Sequence, residues 1–360
     1  MDNVEWMRRL SPWPEEFGLA RMERLLADVG SPQRVFESVH VVGTNGKTST
    51  TLMTAALLHA AGRHVGAYVS PHVRGWSERI QVDGVEIDLD AALARVRPHA
   101  AGATQFEVLT AAAFAAFAAA AVDAAVVEAG LGGRYDATNV IDAKVVVLTN
   151  VSLEHTEVLG DTREAIAAEK LAVVTPRARV VIGEPEWEPF ARAAGARSVE
   201  IVSSSNLALA VAAAEAFLEE PVDTAAAQAL RVPGRLEHRS EQPLEIWDGA
   251  HNLAGVGYLI ARLPSCAYTI VASILRDKDA DAMLRALSQL GGTLVATASD
   301  NPRAIPAGEL ASLAGPSFDR VEAVDDPGAA VARARVLAGP DGAVLVTGSL
   351  YLLASLSLDA

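Results

Sequence analysis

The apolar run His40-Val41-Val42 leads straight into Gly43-Thr44-Asn45-Gly46-Lys47-Thr48-Ser49, and a helix-forming segment follows. Glycines in such a loop let the backbone curl until its N–H groups face a polyphosphate, and the next helix presents its positive N-terminal end. Thr44, Asn45, Gly46, Lys47, Thr48 and Ser49 are therefore candidate ATP contacts. Lys47 would reach the terminal phosphates, and the Thr48 hydroxyl could ligate Mg²⁺. The spacing departs from G-x-x-x-x-G-K-[ST], because Val41 stands where the first glycine belongs and Gly43 comes later. The same residues also read as a plain Gly-Asn turn before a helix.

Further polar groups close other apolar runs. Ser70, in Ser70-Pro71-His72, could ligate a hard cation or cap a turn before proline. Glu128 ends Ala-Ala-Val-Val-Glu and precedes Gly130-Leu131-Gly132-Gly133-Arg134. A strand-end acid suits Mg²⁺ binding or water positioning, or simply faces solvent, and the adjoining glycines point to a close backbone approach. His155, in Glu154-His155-Thr156, reads as a structural histidine or, beside a nucleotide loop, as a metal ligand. Lys170 follows Glu169 and reads on pattern alone as a solvated helix charge. Farther along, Arg235 after Pro233-Gly234 could clamp phosphate, and Asp248 in Asp248-Gly249-Ala250-His251-Asn252 could accept hydrogen bonds from a ribose or base. Each of these is also a common turn composition. The run Arg276-Asp277-Lys278-Asp279 reads as a solvated loop.

The elements that must position these residues alternate. Residues 39–42, 65–69, 124–128 and 145–150 read as strands, the last two as buried parallel ones. Residues 47–61, 89–96, 106–121 and 162–174 read as helices, with Asp161 or Thr162 as an N-cap for the last. Asp83-Gly84 between alternating apolar residues marks a hairpin. Alternation of this kind is the signature of an α/β sheet covered on both faces. Pro221 and Val232-Pro233-Gly234 interrupt it, giving domains of 1–230 and 231–360. A second series follows, with strands at 244–247, 268–272, 293–296 and 343–346. Ligands in open α/β sheets collect beyond the carboxyl ends of the strands, so the polar groups could meet in one crevice.

Composition narrows the partners. The 360 residues carry 45 acidic and 30 basic side chains, a net charge of −15, which disfavours nucleic acid as the main partner. A single cysteine, Cys266, permits no internal disulfide and favours a reducing cytoplasm. The first residues lack the basic-then-apolar pattern of a secretory signal. The apolar stretch 111–122 is mostly alanine and too short to span a bilayer, so a buried helix is expected and no membrane association.

Taken together, these segments resemble the folylpolyglutamate synthase/dihydrofolate synthase family of the Mur ligase superfamily, over nearly the whole chain. The resemblance rests on Gly30-Ser31-Pro32-Gln33, His40-Val41-Val42, Ser70-Pro71-His72, Glu78-Arg79-Ile80 and the segment from Thr104 to Thr110. It continues through the segment from Glu128 to Asn139, Glu154-His155-Thr156, Glu169-Lys170, Pro233-Gly234-Arg235, the segment from Asp248 to Asn252, Asp277-Lys278-Asp279 and Gly348-Ser349-Leu350-Tyr351. It implies an N-terminal P-loop ATPase domain with a mainly parallel sheet and a smaller C-terminal Rossmann-like α/β domain.

The implied chemistry is amide ligation. A substrate carboxylate takes the γ-phosphoryl group of ATP to give an acyl phosphate, and the amine of an amino acid, L-glutamate in this family, displaces phosphate. The implied acid bears a pterin (dihydropteroate or a folate). By position, Ser70, Glu128 and His155 with Thr48 resemble the Mg²⁺ ligands, and Lys47, His155 and Lys170 the catalytic set. Lys170 resembles a lysine that the family converts to a carbamate. Asn206, Arg235 and Asp248 resemble ATP contacts, His251 and Ser349 amino-acid contacts, and Phe106, Glu107 and Asp136 the pterin side. A cytoplasmic monomer acting on a small acid and an amino acid is expected. Gly46-Lys47-Thr48-Ser49 is also similar to the cell-wall branch of the superfamily, which leaves open the same chemistry on another acid or amine. The alternative of another class is a non-catalytic nucleotide-binding module that signals through domain closure; it needs no carbamate-capable lysine, so Lys47, Glu128, His155 and Lys170 together speak against it.

Overall fold

The computed structural model describes residues 1–358. They fall into two compact units, one of Met1–Pro71 with Trp76–Leu230, the other of His72–Gly75 with the chain from Arg231 onward.

The first unit is built on an eight-stranded sheet. Its strands are β1 (Glu37–Val42), β2 (Val65–Tyr68), β3 (Ile80–Val82), β4 (Val85–Glu86), β5 (Ala124–Glu128), β6 (Val145–Leu148), β7 (Arg179–Ile182) and β8 (Ser198–Ile201), in the order β4-β3-β2-β5-β1-β6-β7-β8. From β2 to β8 the neighbours are parallel, while β3 and β4 are added antiparallel. The central strands are fully buried apolar runs, as a sheet covered on both faces requires. Asp83 and Gly84 both take positive φ, 52° and 77°, which turns the β3–β4 hairpin in two residues. Residues 111–119 of the alanine-rich stretch lie in the helix Gln105–Ala119, opened by a capping box between Thr104 and Glu107, and the helix ends before residues 120–122. Among the described residues no helix is long and apolar enough to cross a membrane.

Register is what brings the polar groups together. Val41 of β1 pairs with Glu128 of β5, and Val42 with Leu148 of β6. Tyr68 of β2 pairs with Val127, and Leu148 with Ile182 of β7. Neighbouring parallel strands therefore end level with one another. The loop after Val42, Glu128, Ser70, Asn150 and Glu184 all leave the sheet along one edge. Strand β6 ends at Leu148, before the expected Asn150, which leaves Thr149 and Asn150 outside the ladder.

The second unit has a six-stranded sheet of β9 (Glu237–Glu241), β10 (Leu244–Trp247), β11 (Tyr268–Ala272), β12 (Thr293–Ala296), β13 (Arg320–Ala323) and β14 (Ala343–Thr347), in the order β13-β12-β11-β14-β10-β9. Only the edge strand β9 runs antiparallel among the described strands of this sheet. Alternation sends Ile246, Ile270, Leu294 and Leu345 into one core and Val271, Val295, Val344 and Val346 into the other. Strands β9 and β13 escape a hydrophobic reading because they are polar edges.

Candidate active site

The glycine loop is anchored to the segment that follows β6. Thr44 N–H donates to the Asn150 carbonyl at 2.9 Å. Asn45 N–H donates to Asn150 Oδ1 at 3.0 Å, and Asn150 Nδ2 donates back to the Asn45 carbonyl at 3.1 Å. Thr149 Oγ1 donates to the same carbonyl at 2.7 Å, and Ser152 N–H donates to Thr44 Oγ1 at 3.1 Å. Gly43 and Gly46 have φ of 146° and 82°, and a Cβ on either would strike the side chain of Thr149 or Asn206. Asn206, which begins the helix Asn206–Leu218, thus lies directly against Gly46. The helix Lys47–Ala60 starts immediately after the loop. Its first-turn N–H groups lack intrahelical acceptors and are the donors that a phosphate would meet.

Lys47 and Lys170 converge on one acceptor. Lys47 Nζ donates to the carbonyls of Gly43 and Thr44, each at 3.2 Å, and Lys170 Nζ donates to Gly43 at 2.8 Å. Lys170 is not the solvated helix charge that its pattern suggests, because its residue is only 4% exposed. Burial, helped by the Lys47 ammonium, lowers its amine to about 7, against the opposing pull of Glu154, Asp136 and Glu169. The glycines after Glu128 bring that turn close to the backbone at Lys170. A Cβ on Gly133 would run into the carbonyls of Glu169 and Lys170, so the turn lies flat on the end of the helix Arg163–Leu171.

Glu128 does not face solvent; it is 2% exposed. Its Oε1 accepts from the Thr48 hydroxyl at 3.0 Å, and its Oε2 accepts from Ser70 N–H at 3.0 Å. Two of the other expected cation ligands therefore meet this buried carboxylate, Thr48 through its hydroxyl and Ser70 through its backbone N–H. His155 stands at the start of the short helix Thr156–Leu159, in the left-handed region at φ 51°, with Nε2 3.9 Å from Glu154 Oε1.

The remaining candidates of this unit are built into the scaffold. Phe106 lies 6.0 Å from the ring of Tyr68 and covers Gly130. Glu107 accepts from Thr104 N–H at 2.8 Å and pairs with Arg21 at 3.2 Å. Asp136 is buried and accepts from Leu131 N–H at 2.7 Å, Thr138 N–H at 3.0 Å and the Thr138 hydroxyl. Burial pushes its carboxyl up, and these donors with Gly130 N–H pull it back. Behind Thr138 sits His40, fully buried, with Nε2 2.8 Å from the threonine oxygen. Burial lowers this imidazole to about 3, so it is neutral.

In the second unit, Asp248 closes β10 and accepts from Leu236 N–H at 2.9 Å and Ala250 N–H at 2.8 Å. Burial raises its carboxyl, and the Arg235 guanidinium opposes that shift. Arg235 donates to the Gly234 carbonyl at 3.3 Å. His251 Nδ1 lies 2.9 Å from the Gly249 carbonyl, which can only accept, so the proton sits on Nδ1. Ser349 is buried, and its oxygen accepts from Tyr351 N–H at 3.1 Å. Lys278 departs from the solvated-loop reading, with a side chain 10% exposed and 3.4 Å from Asp277.

Thr149 and Asn150 were not singled out among the site residues, although they hold the loop. The signal that marks them in sequence is a polar pair directly after an apolar strand. His40 and Thr138 carried no signal, since each looks like an ordinary strand or turn residue.

Relatives place the whole chain. Residues 41–224 match the Mur ligase middle domain, and residues 234–350 match the Mur ligase glutamate ligase domain. A dihydrofolate synthase/folylpolyglutamate synthase of Mycobacterium tuberculosis is 34% identical over 87% of this chain and 82% of that protein. A structure of the Mycobacterium tuberculosis folylpolyglutamate synthase complexed with ADP superposes with a TM-score of 0.90 at 33% identity, covering 99% of this chain and 96% of that one. A bifunctional folylpolyglutamate synthase/dihydrofolate synthase with Mn, AMPPNP and L-glutamate bound superposes with a TM-score of 0.87 at 29% identity, covering 100% of this chain and 98% of that one.

Proposed function

Because the chain belongs to the folylpolyglutamate synthase/dihydrofolate synthase family of the Mur ligases, we propose that it is an ATP-dependent ligase joining L-glutamate to a pterin-bearing acid. The observation that carries this reading is the pairing of Thr48 and Ser70 on buried Glu128 beside the glycine loop.

A carboxylate is a poor acylating agent until one oxygen becomes part of a phosphate. Its oxygen attacks the γ-phosphorus of ATP, the bond to the bridging oxygen breaks, and ADP leaves. The amine nitrogen then attacks the acyl carbon, phosphate departs with the electron pair, and the nitrogen sheds its proton. Such transfers need alignment and charge neutralisation more than covalent chemistry from the protein. The loop amides and Asn206 would hold the nucleotide, and Lys47 would swing from its own loop carbonyls to the terminal phosphates.

The donor set fits a hard divalent cation. Among the described residues there is no cluster of three or more His, Cys, Asp or Glu suited to a metal. The site offers instead one buried carboxylate and two hydroxyl residues, which suits a cation that shares its shell with phosphate oxygens. Thr48, Ser70, Glu128 and His155 would hold Mg²⁺, which supplies neutralisation of phosphate charge when bound.

Lys170 is assigned to carbamate formation. An amine near 7 is substantially neutral at physiological pH and can attack CO₂, forming an N–C bond and losing a proton. The product is an anion in place of a cation. Phe106 would present its ring to the pterin side, with Glu107 and Asp136 holding the helix start and turn that frame it. Arg235 and Asp248 are assigned to ATP, and His251 and Ser349 to the amino acid. A cytoplasmic monomer is the expected working form.

The test is incubation with ATP, Mg²⁺, glutamate and either dihydropteroate or a reduced folate, read by mass spectrometry. A product heavier by one glutamate is expected, with ADP released in equal amount. Extension of another acid alone would remove the pterin assignment and keep the ligase.

A further inference from the structure

Val151 is gripped by both of its main-chain polar groups. Glu184 Oε2 accepts its N–H at 2.9 Å, and Arg163 Nε donates to its carbonyl at 2.9 Å. The two side chains are themselves joined. Arg163 Nη2 lies 3.4 Å from each Glu184 oxygen, and the Trp187 indole N–H donates to Glu184 Oε2 at 2.6 Å. The guanidinium also lies 4.9 Å over the Trp187 ring and pairs with Glu186 at 2.7 Å. Register explains the meeting, because Leu148 pairs with Ile182 and the two chains leave the sheet side by side.

The residues flanking Val151 hold the glycine loop. Thr149 and Asn150 bind Asn45 and Thr44 from one side, and Ser152 binds Thr44 from the other. From this juxtaposition we infer that Arg163 and Glu184 are positioning residues for nucleotide binding. By clamping the Val151 peptide groups they set the placement of residues 149–152, and through them the loop from which the helix N–H groups at Lys47 to Ser49 rise. A loop that hangs from one side only is free to shift, and misplacement by an ångström is enough to weaken a phosphate site by a large factor. The inference rests on the nucleotide-binding reading given above.

The test uses the full chain with Glu184→Ala, Glu184→Gln and Arg163→Ala. ADP affinity is measured by calorimetry, and hydrogen exchange is followed in the peptide covering residues 43–49 without nucleotide. Glu184→Ala and Arg163→Ala should weaken ADP binding by about tenfold and speed exchange in that peptide. Glu184→Gln keeps an acceptor for the Val151 N–H and the indole, and should retain most of the wild-type affinity. A merely stabilising role would lower the urea midpoint while leaving ADP affinity and loop exchange at wild-type values, and that result overturns the inference. Should wild-type protein fail to bind ADP, the functional reading falls and loop exchange alone decides the positioning role. Arg163 has a side chain 42% exposed, so its variant decides the matter if Glu184→Ala does not fold.

Discussion

Lys47 and Lys170 direct their ammonium groups at the same carbonyl, that of Gly43. Two like charges on one acceptor raise each other's cost, and the buried partner yields. Lys170 is lowered to about 7, with the Lys47 charge second only to burial among the causes.

Stability should therefore depend on pH through Lys170. Below about 7 the folded and unfolded chains both carry the proton, and the fold bears the full cost of a buried cation. Between about 7 and 10.5 the unfolded chain binds more protons, so stability rises with pH across that window. In CO₂-free buffer, urea unfolding should show the deficit of wild type relative to Lys170→Met narrowing from pH 6 to pH 9. A difference that does not change with pH would refute the buried cation.

The carbamate assignment makes a separate demand. Lys170→Ala should lose ADP release in the presence of both substrates, and short carboxylates should restore part of it. Lys170→Arg keeps a cation but cannot form a carbamate, and should stay inactive under added bicarbonate. Full activity in either variant removes the assignment.

Lys47→Ala should cut ADP release by roughly 10²–10³-fold, the usual loss when one donor to developing charge is removed. Removing its charge should also raise the Lys170 amine, since Lys47 depresses it. Near-normal turnover would contradict the role of the loop.

Thr48→Ser and Thr48→Val separate hydroxyl from shape. Serine keeps the oxygen that donates to Glu128 and should retain activity. Valine keeps the volume, and its activity should fall with a raised Mg²⁺ requirement. Equal activity of the two, measured across a Mg²⁺ titration, would exclude Thr48 from the cation's shell.

Thr138→Val should cost about 1–3 kcal/mol in urea unfolding, because it strands His40 Nε2 and removes one donor from buried Asp136. His40 Nδ1 has no partner as it is, so the site has no spare bond to recruit.

The phosphate loop and the helix after it were legible because glycine, lysine and an apolar strand each carry a mechanism in their type. The buried strands β1, β5 and β6 were legible from unbroken apolar runs. Lys170 was misread on pattern because helix periodicity places a charge on a face but does not say which other segment covers that face. Here the segment that the amine meets is the glycine loop, 127 residues earlier in the chain. Strands β9 and β13 were missed because polar edges break the period-2 signal. The Arg163–Glu184 grip left no trace in sequence, since its two members lie 21 residues apart and act on a main-chain group.

The pairing of Val41 with Glu128 also limits what change the scaffold can absorb. Inserting or deleting one residue within β5 would invert every side chain beyond that point. The carboxylate would then point to the far side of the sheet while the hydroxyl of Thr48 stayed behind. Drift in chain length among descendants of this protein should accordingly collect in its hairpin and outer edges, leaving the span of those two strands constant.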